Sequence, residues 1–539
     1  MSDIQGSLKK RFWSDSTRIL FFIVVLSALQ GCSGNGGGVS VPPTINQVAT
    51  PNLPERIRLF CGSCHENPPI DTFPRSAWKN LIERMYMLFN ESNRHLQPPP
   101  VEEVVHYFEE RAPLQLPIAE IRRANHPLPV SFTRIDYPVF QGPPDVVPPH
   151  ISNVNLVHLF DPKKLDILAC DMRGGAVLVL QPYLADPKWR LLYGTGPDQG
   201  FNPAHSEVTD LDGDGINDIL VANLGNHLPT DRRCGSVLWL HGLGEGRYEP
   251  ITLLKDKGRI ADVQIADFNG DGKLDLIVAC FGWKTVGEIY YLENHTTDWK
   301  RPNFTVYLLD ERHGTIHVPI VDLNGDGKPD FVALISQEHE TIVAFLNDGK
   351  GHFDEKKTLY KAPHPGYGSS GIQLVDLNGD GKLDVLYTNG DVLDQPYLLK
   401  PYHGIQWLEN KGDWKFVHHP LTPMYGVHRA VAGDLDGDGD LDIVGVSFLP
   451  SENFKERQEQ KFDAVIVLEQ IAPGVFDYHS LERESCDHVS CAVGDVFGTG
   501  KLDVVTGNFT TKAIEKAITI WKNERGGPDA GGTRQGKVR

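Results

Sequence analysis

The sequence predicts a mostly β protein, a seven-bladed β-propeller preceded by a small α-helical domain. The propeller is indicated by a six-residue loop motif that recurs every 54–58 residues, and by four strand-like segments in each interval. The helical domain is indicated by apolar residues at helical spacing in residues 76–90 and 100–111. A chain of 539 residues is long enough to hold both.

The recurring motif reads Asp-x-(Asp/Asn)-Gly-Asp-Gly, and a further Asp follows three residues after its last Gly. Oxygen-bearing side chains therefore occupy loop positions 1, 3, 5 and 9, where they repel one another unless a cation lies between them. Hard oxygen ligands at this spacing suit Ca²⁺, and the Gly residues permit the tight backbone path. The predicted ligands of about five Ca²⁺ ions are Asp210, Asp212, Asp214, Asp218, Asp267, Asn269, Asp271, Asp275, Asp322, Asn324, Asp326, Asp330, Asp376, Asn378, Asp380, Asp384, Asp434, Asp436, Asp438 and Asp442.

The EF-hand begins with the same residue pattern, but it needs a Glu at position 12 and a helix on each side of the loop. A β-strand pattern follows these loops instead, as in Asp218–Ala222. The loops are therefore expected to join pairs of strands. Position 12 holds no carboxylate in any of them: it reads Val221, Val278, Ala333, Tyr387 and Gly445.

The net charge of −19 comes largely from these loops, and five bound Ca²⁺ ions would offset about half of it. A chain this acidic argues against nucleic acid as a partner.

Two degraded copies of the repeat flank the five complete ones, at residues 161–166 and 495–503. The first lacks the middle of the loop, and the second has Phe497 and Thr499 where ligands would stand, so neither copy is expected to bind Ca²⁺. The last repeat ends after its third strand. A strand-like segment at residues 130–138 precedes the first repeat, and we expect it to supply the missing strand and close the ring.

With these loops and repeats, residues 130–525 resemble the FG-GAP/VCBS repeat family, the calcium-looped propellers that include the integrin α head. The resemblance implies a calcium-stabilised propeller. The family includes adhesion modules, lectin-like binders and polysaccharide-active enzymes, so the resemblance does not decide the function.

A separate motif, Cys61-Gly-Ser-Cys64-His65, has the spacing of c-type haem attachment. In that interpretation two thioether bonds hold the porphyrin and His65 ligates the iron. A redox disulfide and half of a zinc site are the alternatives. Residues 52–115 resemble a minimal monohaem cytochrome c, which implies covalently bound haem c and electron transfer.

The sixth iron ligand is expected to be Met85, because it falls on the apolar face of the helix predicted at residues 76–90, whereas Met87 falls on the polar face. Two alternatives remain open. Met85 could belong to the helical core with the iron five-coordinate, or His95 could be the ligand.

The N-terminus resembles a bacterial lipoprotein signal. Basic residues precede a short apolar run at residues 19–29, which ends in Leu29-Gln30-Gly31-Cys32. Cys32 would be lipidated, which tethers the exported protein in the cell envelope. Plain secretion and an uncleaved short anchor are the alternatives. The predicted order is signal peptide 1–31, flexible tether 32–51, cytochrome c-like domain 52–115, linker 116–129, propeller 130–525 and disordered tail 526–539.

Four residues are candidates for a site in the propeller channel: His205, Asp262, His317 and Arg429. Each stands five residues before the first Asp of its own calcium loop, so all four should point the same way, at the face opposite the loops. They would form a substrate or second metal site, with His205 and His317 as ligands or bases, or simply a polar channel lining. No catalytic motif is present.

Three functions fit the sequence. The first is a lipid-anchored haem c electron-transfer protein whose propeller binds a small molecule, a glycan or a redox partner. The second is a calcium-dependent adhesion or ligand-binding propeller without catalysis. The third is a carbohydrate-active enzyme. A covalent redox group has little use in adhesion alone, which favours the first. The sequence leaves the pairing of the remaining cysteines open.

Overall fold

The computed structural model describes residues 51–92, 94–138, 148–394, 396–510 and 516–524. The predicted signal peptide, Cys32 and the tail at residues 526–539 lie outside these ranges. Within them, no helix is both long and apolar enough to cross a membrane. The described residues fall into two units, which divide between Arg56 and Ile57.

The two helices predicted from the sequence are confirmed to within one residue at each end, and a further helix, α1, was not predicted. Phe60 lies edge-on to Phe89, with ring centroids 4.7 Å apart, and so packs α1 on α2. Trp78 stacks on Phe108 at 4.1 Å and packs α2 on α3. The α-helices are α1 (Leu53–Cys61), α2 (Arg75–Glu91) and α3 (Val101–Arg111), and a short 3₁₀ helix spans Ile70–Thr72.

The described residues after α3 form seven antiparallel sheets, which confirms the seven-bladed propeller. The first strand in the chain is β1 (Phe132–Pro138). Blade 1 contains β2 (Ile151–Val157), β3 (Asp166–Asp171), β4 (Ala176–Leu180) and β5 (Arg190–Gly194); blade 2 contains β6 (Pro203–Thr209), β7 (Asp218–Asn223), β8 (Gly235–Gly242) and β9 (Tyr248–Lys257); blade 3 contains β10 (Ile260–Ala266), β11 (Asp275–Cys280), β12 (Glu288–Asn294) and β13 (Phe304–Asp310).

The remaining blades follow the same order of strands from the centre outwards. Blade 4 contains β14 (Thr315–His317), β15 (Ile320–Val321), β16 (Asp330–Ile335), β17 (Thr341–Leu346) and β18 (Glu355–Lys361); blade 5 contains β19 (Ser369–Val375), β20 (Asp384–Asn389), β21 (Gly404–Asn410) and β22 (Phe416–Pro423); blade 6 contains β23 (Val427–Gly433), β24 (Asp442–Ser447), β25 (Asp463–Ala472) and β26 (Val475–Arg483); blade 7 contains β27 (His488–Gly494), β28 (Asp503–Asn508), β29 (Lys516–Asn523) and β1.

Blade 4 differs from the others in that its first strand is broken in two. Pro319 stands between β14 and β15, and proline has no N–H to give to a sheet. The Pro319 carbonyl still accepts the Val332 N–H at 3.0 Å, so the break is local.

The core of the propeller lies between neighbouring blades. The second strand of every blade is buried at all six residues, because a sheet covers it on each face. Between blades 2 and 3, for example, Trp239 and Val278 meet in a fully buried cluster. Such burial explains why these strands read as continuous apolar runs rather than alternating ones.

The ring is closed by β1, which pairs antiparallel with β29. Seven residues of β1 have partners in this ladder, from Phe132 opposite Asn523 to Pro138 opposite Lys516. The Thr519 hydroxyl adds a hydrogen bond to Asp136 at 2.8 Å. The outer edge of blade 7 is thus covered by a strand that lies more than 350 residues earlier in the chain.

The segment between the helices and β1, which the sequence analysis treats as a linker, is bound to blade 6. The Ala124 N–H donates to the Tyr478 carbonyl in β26 at 2.9 Å. Arg123 forms an ion pair of 2.6 Å with Asp463, which is almost fully buried. The sequence does not predict this contact, because the segment lacks the alternation of apolar and polar residues that indicates a strand.

Deleting residues 130–138 should sharply lower the thermal midpoint of the propeller, because it removes the β1–β29 ladder and opens the ring. Calorimetry and hydrogen exchange at β29 would measure this. A synthetic peptide of residues 130–138 should restore part of the lost stability, whereas a scrambled peptide should not. An unchanged midpoint after the deletion would contradict the closure mechanism.

Candidate functional site

The predicted calcium loops of blades 2 and 6 bring acidic side chains close together. The carboxylates of Asp210, Asp212 and Asp218 place oxygen atoms within 4.8 Å of one another. Asp210 also accepts the Asp214 N–H at 3.0 Å and the Gly215 N–H at 2.9 Å, which wraps the loop around it. Gly215 has φ +86°, a conformation that glycine adopts without strain. This donor set, all oxygen and strongly acidic, fits Ca²⁺.

The Asp at loop position 9 has a second role that the sequence analysis did not predict. Asp218 is fully buried, and its Oδ2 accepts the Leu211 N–H at 2.9 Å while its Oδ1 accepts the Gly242 N–H at 2.7 Å. It therefore ties the start of the loop to the end of the third strand. Asp503, in the degraded loop of blade 7, makes the same two backbone contacts, so this role does not depend on a metal.

Without a cation, these buried carboxylates are hard to ionise. Burial raises the pKa of Asp275 to about 6 and that of Asp442 to about 7. A bound divalent cation would supply the missing opposite charge.

A further set of side chains orients loop position 3. Asn378 donates its amide N–H to Glu409 at 3.1 Å, and Asn269 makes the corresponding contact with Glu293 at 3.4 Å. The amide oxygen therefore points into the loop. Where position 3 is Asp212, the partner is His241, with its Nε2 3.1 Å from the carboxylate. These partners come from the end of the third strand, which the loop motif does not include.

The four residues predicted for the channel form one continuous chain of contacts across blades 2, 3, 4 and 6. His205 Nδ1 lies 2.8 Å from Asp262 Oδ1. Asp262 Oδ2 lies 3.9 Å from His317 Nδ1 and accepts the Val318 N–H at 2.9 Å. Arg429 Nη1 lies 3.3 Å from His317 Nε2. The structure thus brings together all four residues, which stand up to 224 positions apart.

Two neighbours of this cluster were missed. Glu207 lies 3.3 Å from His205 Nε2, and Gln264 donates to both Glu207 and Asp262, at 3.0 and 3.1 Å. Each stands two residues after a predicted site residue in the same strand. The alternation of side chains along a strand could have identified them.

Burial alone would lower the pKa of His205, but the Asp262 carboxylate outweighs it and raises this pKa to about 9. Burial opposes ionisation of Asp262 as well, yet the His205 and His317 rings hold the pKa of this carboxyl far below its ordinary value. Burial and the Arg429 guanidinium lower the pKa of His317 to about 3. At neutral pH, His205 is therefore cationic and His317 is neutral, with its Nε2 accepting from Arg429.

The helical segment contacts the same face of the propeller. Glu66 forms an ion pair of 2.7 Å with Lys361 at the end of β18, and Phe73 packs closely on Gly366, in the loop between blades 4 and 5. That loop joins the fourth strand of one blade to the first strand of the next. It therefore lies opposite the calcium loops, on the face where the channel cluster begins.

The haem-attachment motif lies where α1 ends. Cys61 is the last residue of α1, Cys64 is exposed, and both are free thiols. Burial raises the pKa of Cys61 to about 11, and Cys64 adds to this. His65 Nδ1 lies 2.8 Å from the Glu66 carbonyl oxygen, which leaves Nε2 as the atom available to a metal. Arg94 donates to the Ser63 carbonyl, which brings the chain just before His95 close to the motif.

The two methionines of α2 are exposed, Met85 by 40% and Met87 by 49%. Met85 is therefore not part of the helical core, unlike Trp78 and Ile82 on the same helix. By helical spacing Met85 stands on the same side of α2 as Trp78 and Ile82, but that side is exposed at this point, so the alternative that Met85 is a core residue is wrong.

The remaining cysteines in the described part of the chain form no disulfide, and all are free thiols: Cys170, Cys234, Cys280, Cys486 and Cys491.

Comparison with known proteins identifies the repeats. The FG-GAP-like repeat model matches residues 210–278, 322–387 and 389–445. Human (Homo sapiens) cartilage acidic protein 1 is 22% identical over 431 residues, which cover 74% of this chain and 58% of that protein. A T-cell immunomodulatory protein homolog of Plasmodium falciparum is 25% identical over 273 residues, which cover 46% and 34%.

The chain thus spans between about one third and three fifths of the length of the curated relatives it matches. A solved structure of BBS1N in complex with ARL6DN aligns over 74% of this chain and 99% of its own, with 10% identity and a TM-score of 0.41. The chain carries FG-GAP-like repeats, and they belong to a seven-bladed β-propeller.

Proposed function

We propose that the protein is an exported, lipid-anchored haem c electron-transfer protein whose calcium-stabilised propeller binds a substrate or redox partner. One observation carries the proposal. The Cys61–His65 motif belongs to a helical segment that contacts the propeller on the face opposite the calcium loops. The charged cluster of His205, Asp262, His317 and Arg429 begins on that same face. A redox group and a binding channel would then share one side of the molecule.

The residues around the motif fit haem c. Cys61 and Cys64 would form the thioether bonds, and His65 Nε2 would ligate the iron while its Nδ1 is held by a backbone carbonyl. Bound haem c supplies reversible one-electron transfer. Several apolar side chains of this segment are exposed and could cover a porphyrin: Leu59, Met85, Met87 and Leu96.

Expression in a host that matures c-type cytochromes should give a protein with haem optical bands that survive denaturation. The Cys61→Ser/Cys64→Ser variant should lose them, because no thioether can form, whereas Cys234→Ser should keep them. Met85→Ala should change the spectrum and lower the reduction potential, while Met87→Ala should change neither. If the haem spectrum changes in His95→Ala but not in Met85→Ala, the sixth ligand is His95. A colourless wild-type protein would overturn the haem proposal.

The calcium loops are proposed to stabilise the propeller rather than to take part in redox chemistry. Asp322 and Asp495 are a matched pair, because each accepts the N–H groups of loop positions 5 and 6, but only Asp322 stands in a complete loop. Asp322→Asn should reduce the rise in thermal midpoint that Ca²⁺ produces over EGTA-treated protein, and Asp495→Asn should leave that rise unchanged. Equal calcium responses in both variants would show that the complete loop has no special role.

The channel cluster is proposed to bind a polar, polyhydroxylated ligand. The cations His205 and Arg429 share this cluster with two carboxylates, Asp262 and Glu207, so it offers charged hydrogen-bonding groups without an excess of positive charge. His205 has no free lone pair, and the lone pair of His317 faces Arg429, so neither ring is placed to remove a proton from a substrate. The cluster is thus better suited to binding a ligand than to acting as a general base.

Mixing the oxidised haem protein with sugars, sugar acids and alcohols, and following the haem bands, tests the proposed activity. A reducing substrate should lose at least about tenfold in rate with Arg429→Gln, because a charged hydrogen bond is removed. Arg247→Gln, which alters an exposed arginine in the blade 2 hairpin, should have no effect. Haem bands that no compound reduces, together with tight glycan or protein binding, would support the alternative.

That alternative is a calcium-dependent binding propeller without catalysis. It is favoured by the FG-GAP-like repeats and by the lack of a free general base in the channel cluster. A carbohydrate-active enzyme would instead release products from a glycan without reducing the haem.

A further inference from the structure

Three side chains that bind transition metals meet in a surface pocket between blades 3 and 4, away from the calcium loops. His313 follows β13, and Glu338 and His339 lie in the turn between β16 and β17. One ligand atom from each lies within 4.8 Å of the others. His313 Nε2 is 2.8 Å from Glu338 Oε2, and His339 Nε2 is 4.0 Å from Glu338 Oε1.

Backbone contacts hold the two segments against each other. The Gly314 carbonyl accepts the Ser336 N–H at 2.8 Å and the Ser336 hydroxyl at 2.9 Å. Gly314 has φ +91°, and a Cβ there would lie 2.8 Å from the Ser336 carbonyl oxygen. Only glycine permits this approach. The position of His313 relative to Glu338 and His339 is therefore fixed by the main chain.

The turn that carries Glu338 and His339 is itself constrained. Gln337 and Glu340 have φ +58° and +41°, a left-handed conformation that is strained for residues with a side chain. The Glu340 carboxylate accepts the N–H groups of Gly368 and Ser369, both at 3.0 Å, and so ties the turn to blade 5. Strained turns that neighbouring blades hold in place are typical of functional positions.

His339 is suited to metal binding rather than to ion pairing. Its Nε2 is too far from Glu338 for a good hydrogen bond. The two imidazole rings are 5.2 Å apart and inclined at 65°, so they do not stack face to face.

We propose that His313, Glu338 and His339 bind a divalent transition metal of the Zn²⁺ type. Two imidazoles and one carboxylate suit Zn²⁺, whereas Ca²⁺ prefers the all-oxygen loops. Ligand atoms about 2.0–2.1 Å from a tetrahedral ion lie about 3.3 Å from one another. The distance from His313 Nε2 to Glu338 Oε2 is shorter than this, and the distance from His339 Nε2 to Glu338 Oε1 is longer.

The metal would keep an open coordination position. The three ligands line a cavity of about 580 Å³, and Arg312 and Lys356 also line it. Three protein ligands and one open position are the arrangement of catalytic zinc sites, in which water or a small anion is the fourth ligand. The two cationic side chains would favour an anion, although both already contact Asp310.

Zinc binding to the full chain tests this proposal without depending on haem or on the channel cluster. In calorimetric titrations with saturating Ca²⁺, His313→Ala/His339→Ala should bind one Zn²⁺ fewer than the wild type. Sites elsewhere, including the Cys61–Cys64 thiols, are common to both proteins and cancel in this comparison. Co²⁺ should give a visible absorption band from a nitrogen–oxygen site that the double variant lacks.

Further variants separate loss of the site from loss of the fold. Glu338→Gln keeps a hydrogen-bond acceptor for His313 but removes the charge, and it should weaken this site at least about tenfold. His352→Ala removes an exposed histidine outside the pocket and should bind Zn²⁺ like the wild type. With Ca²⁺ present and zinc removed by a zinc-selective chelator, all the variants should melt near the wild-type midpoint. Equal stoichiometry and affinity in the wild type, the double variant and Glu338→Gln would overturn the proposal.

Discussion

The propeller depends on a buried carboxylate that begins the second strand of each blade. In Asp218 one oxygen holds the start of the preceding loop and the other holds the end of the third strand. Asp503 does the same in a loop that lacks the calcium ligands. A buried carboxylate that loses its hydrogen bonds raises the free energy of the fold, so the carboxylate holds the turn in one conformation. The turn in turn sets how the first three strands of the blade meet. A bound cation, as proposed, would add to a geometry that hydrogen bonds already define.

The same turns divide the molecule into two faces with different chemistry. Every calcium loop joins a first strand to a second strand, so all five lie on one face. The first strands therefore begin on the other face, where His205 and Asp262 form their ion pair. The helical segment also contacts that face, through Glu66 and Phe73. Acidic loops and the channel cluster are kept apart by strand direction alone.

The period of the repeats was enough to predict the number of blades, and the missing last strand was enough to locate its replacement at residues 130–138. The channel cluster could be predicted for the same reason: residues five positions before each loop have equivalent places in every blade. His205 and Arg429 stand 224 positions apart, yet the repeat relates them.

Features that do not repeat could not be predicted in this way. Arg123 and Asp463 meet because the segment between the helices and β1 crosses blade 6, and this contact is not part of the repeat. The expected burial of Met85 assumed that one helical face packs uniformly, but the partners of α2 cover Trp78 and Ile82 and leave Met85 exposed. The role of Asp218 as a backbone clamp was hidden because its place in the loop motif already explained it as a ligand.

The pocket of His313, Glu338 and His339 is a feature that no sequence pattern predicts. The residues come from two loops, which the contact between Gly314 and Ser336 holds together. Two residues other than glycine adopt positive φ angles in one of these loops. Sequence patterns signal glycine at such angles and give no warning when Gln337 or Glu340 adopts them. Residues that a fold holds in strained positions without a pattern are therefore the ones for which a structure adds most, and here they flank His339, one of the two nitrogen donors of the pocket.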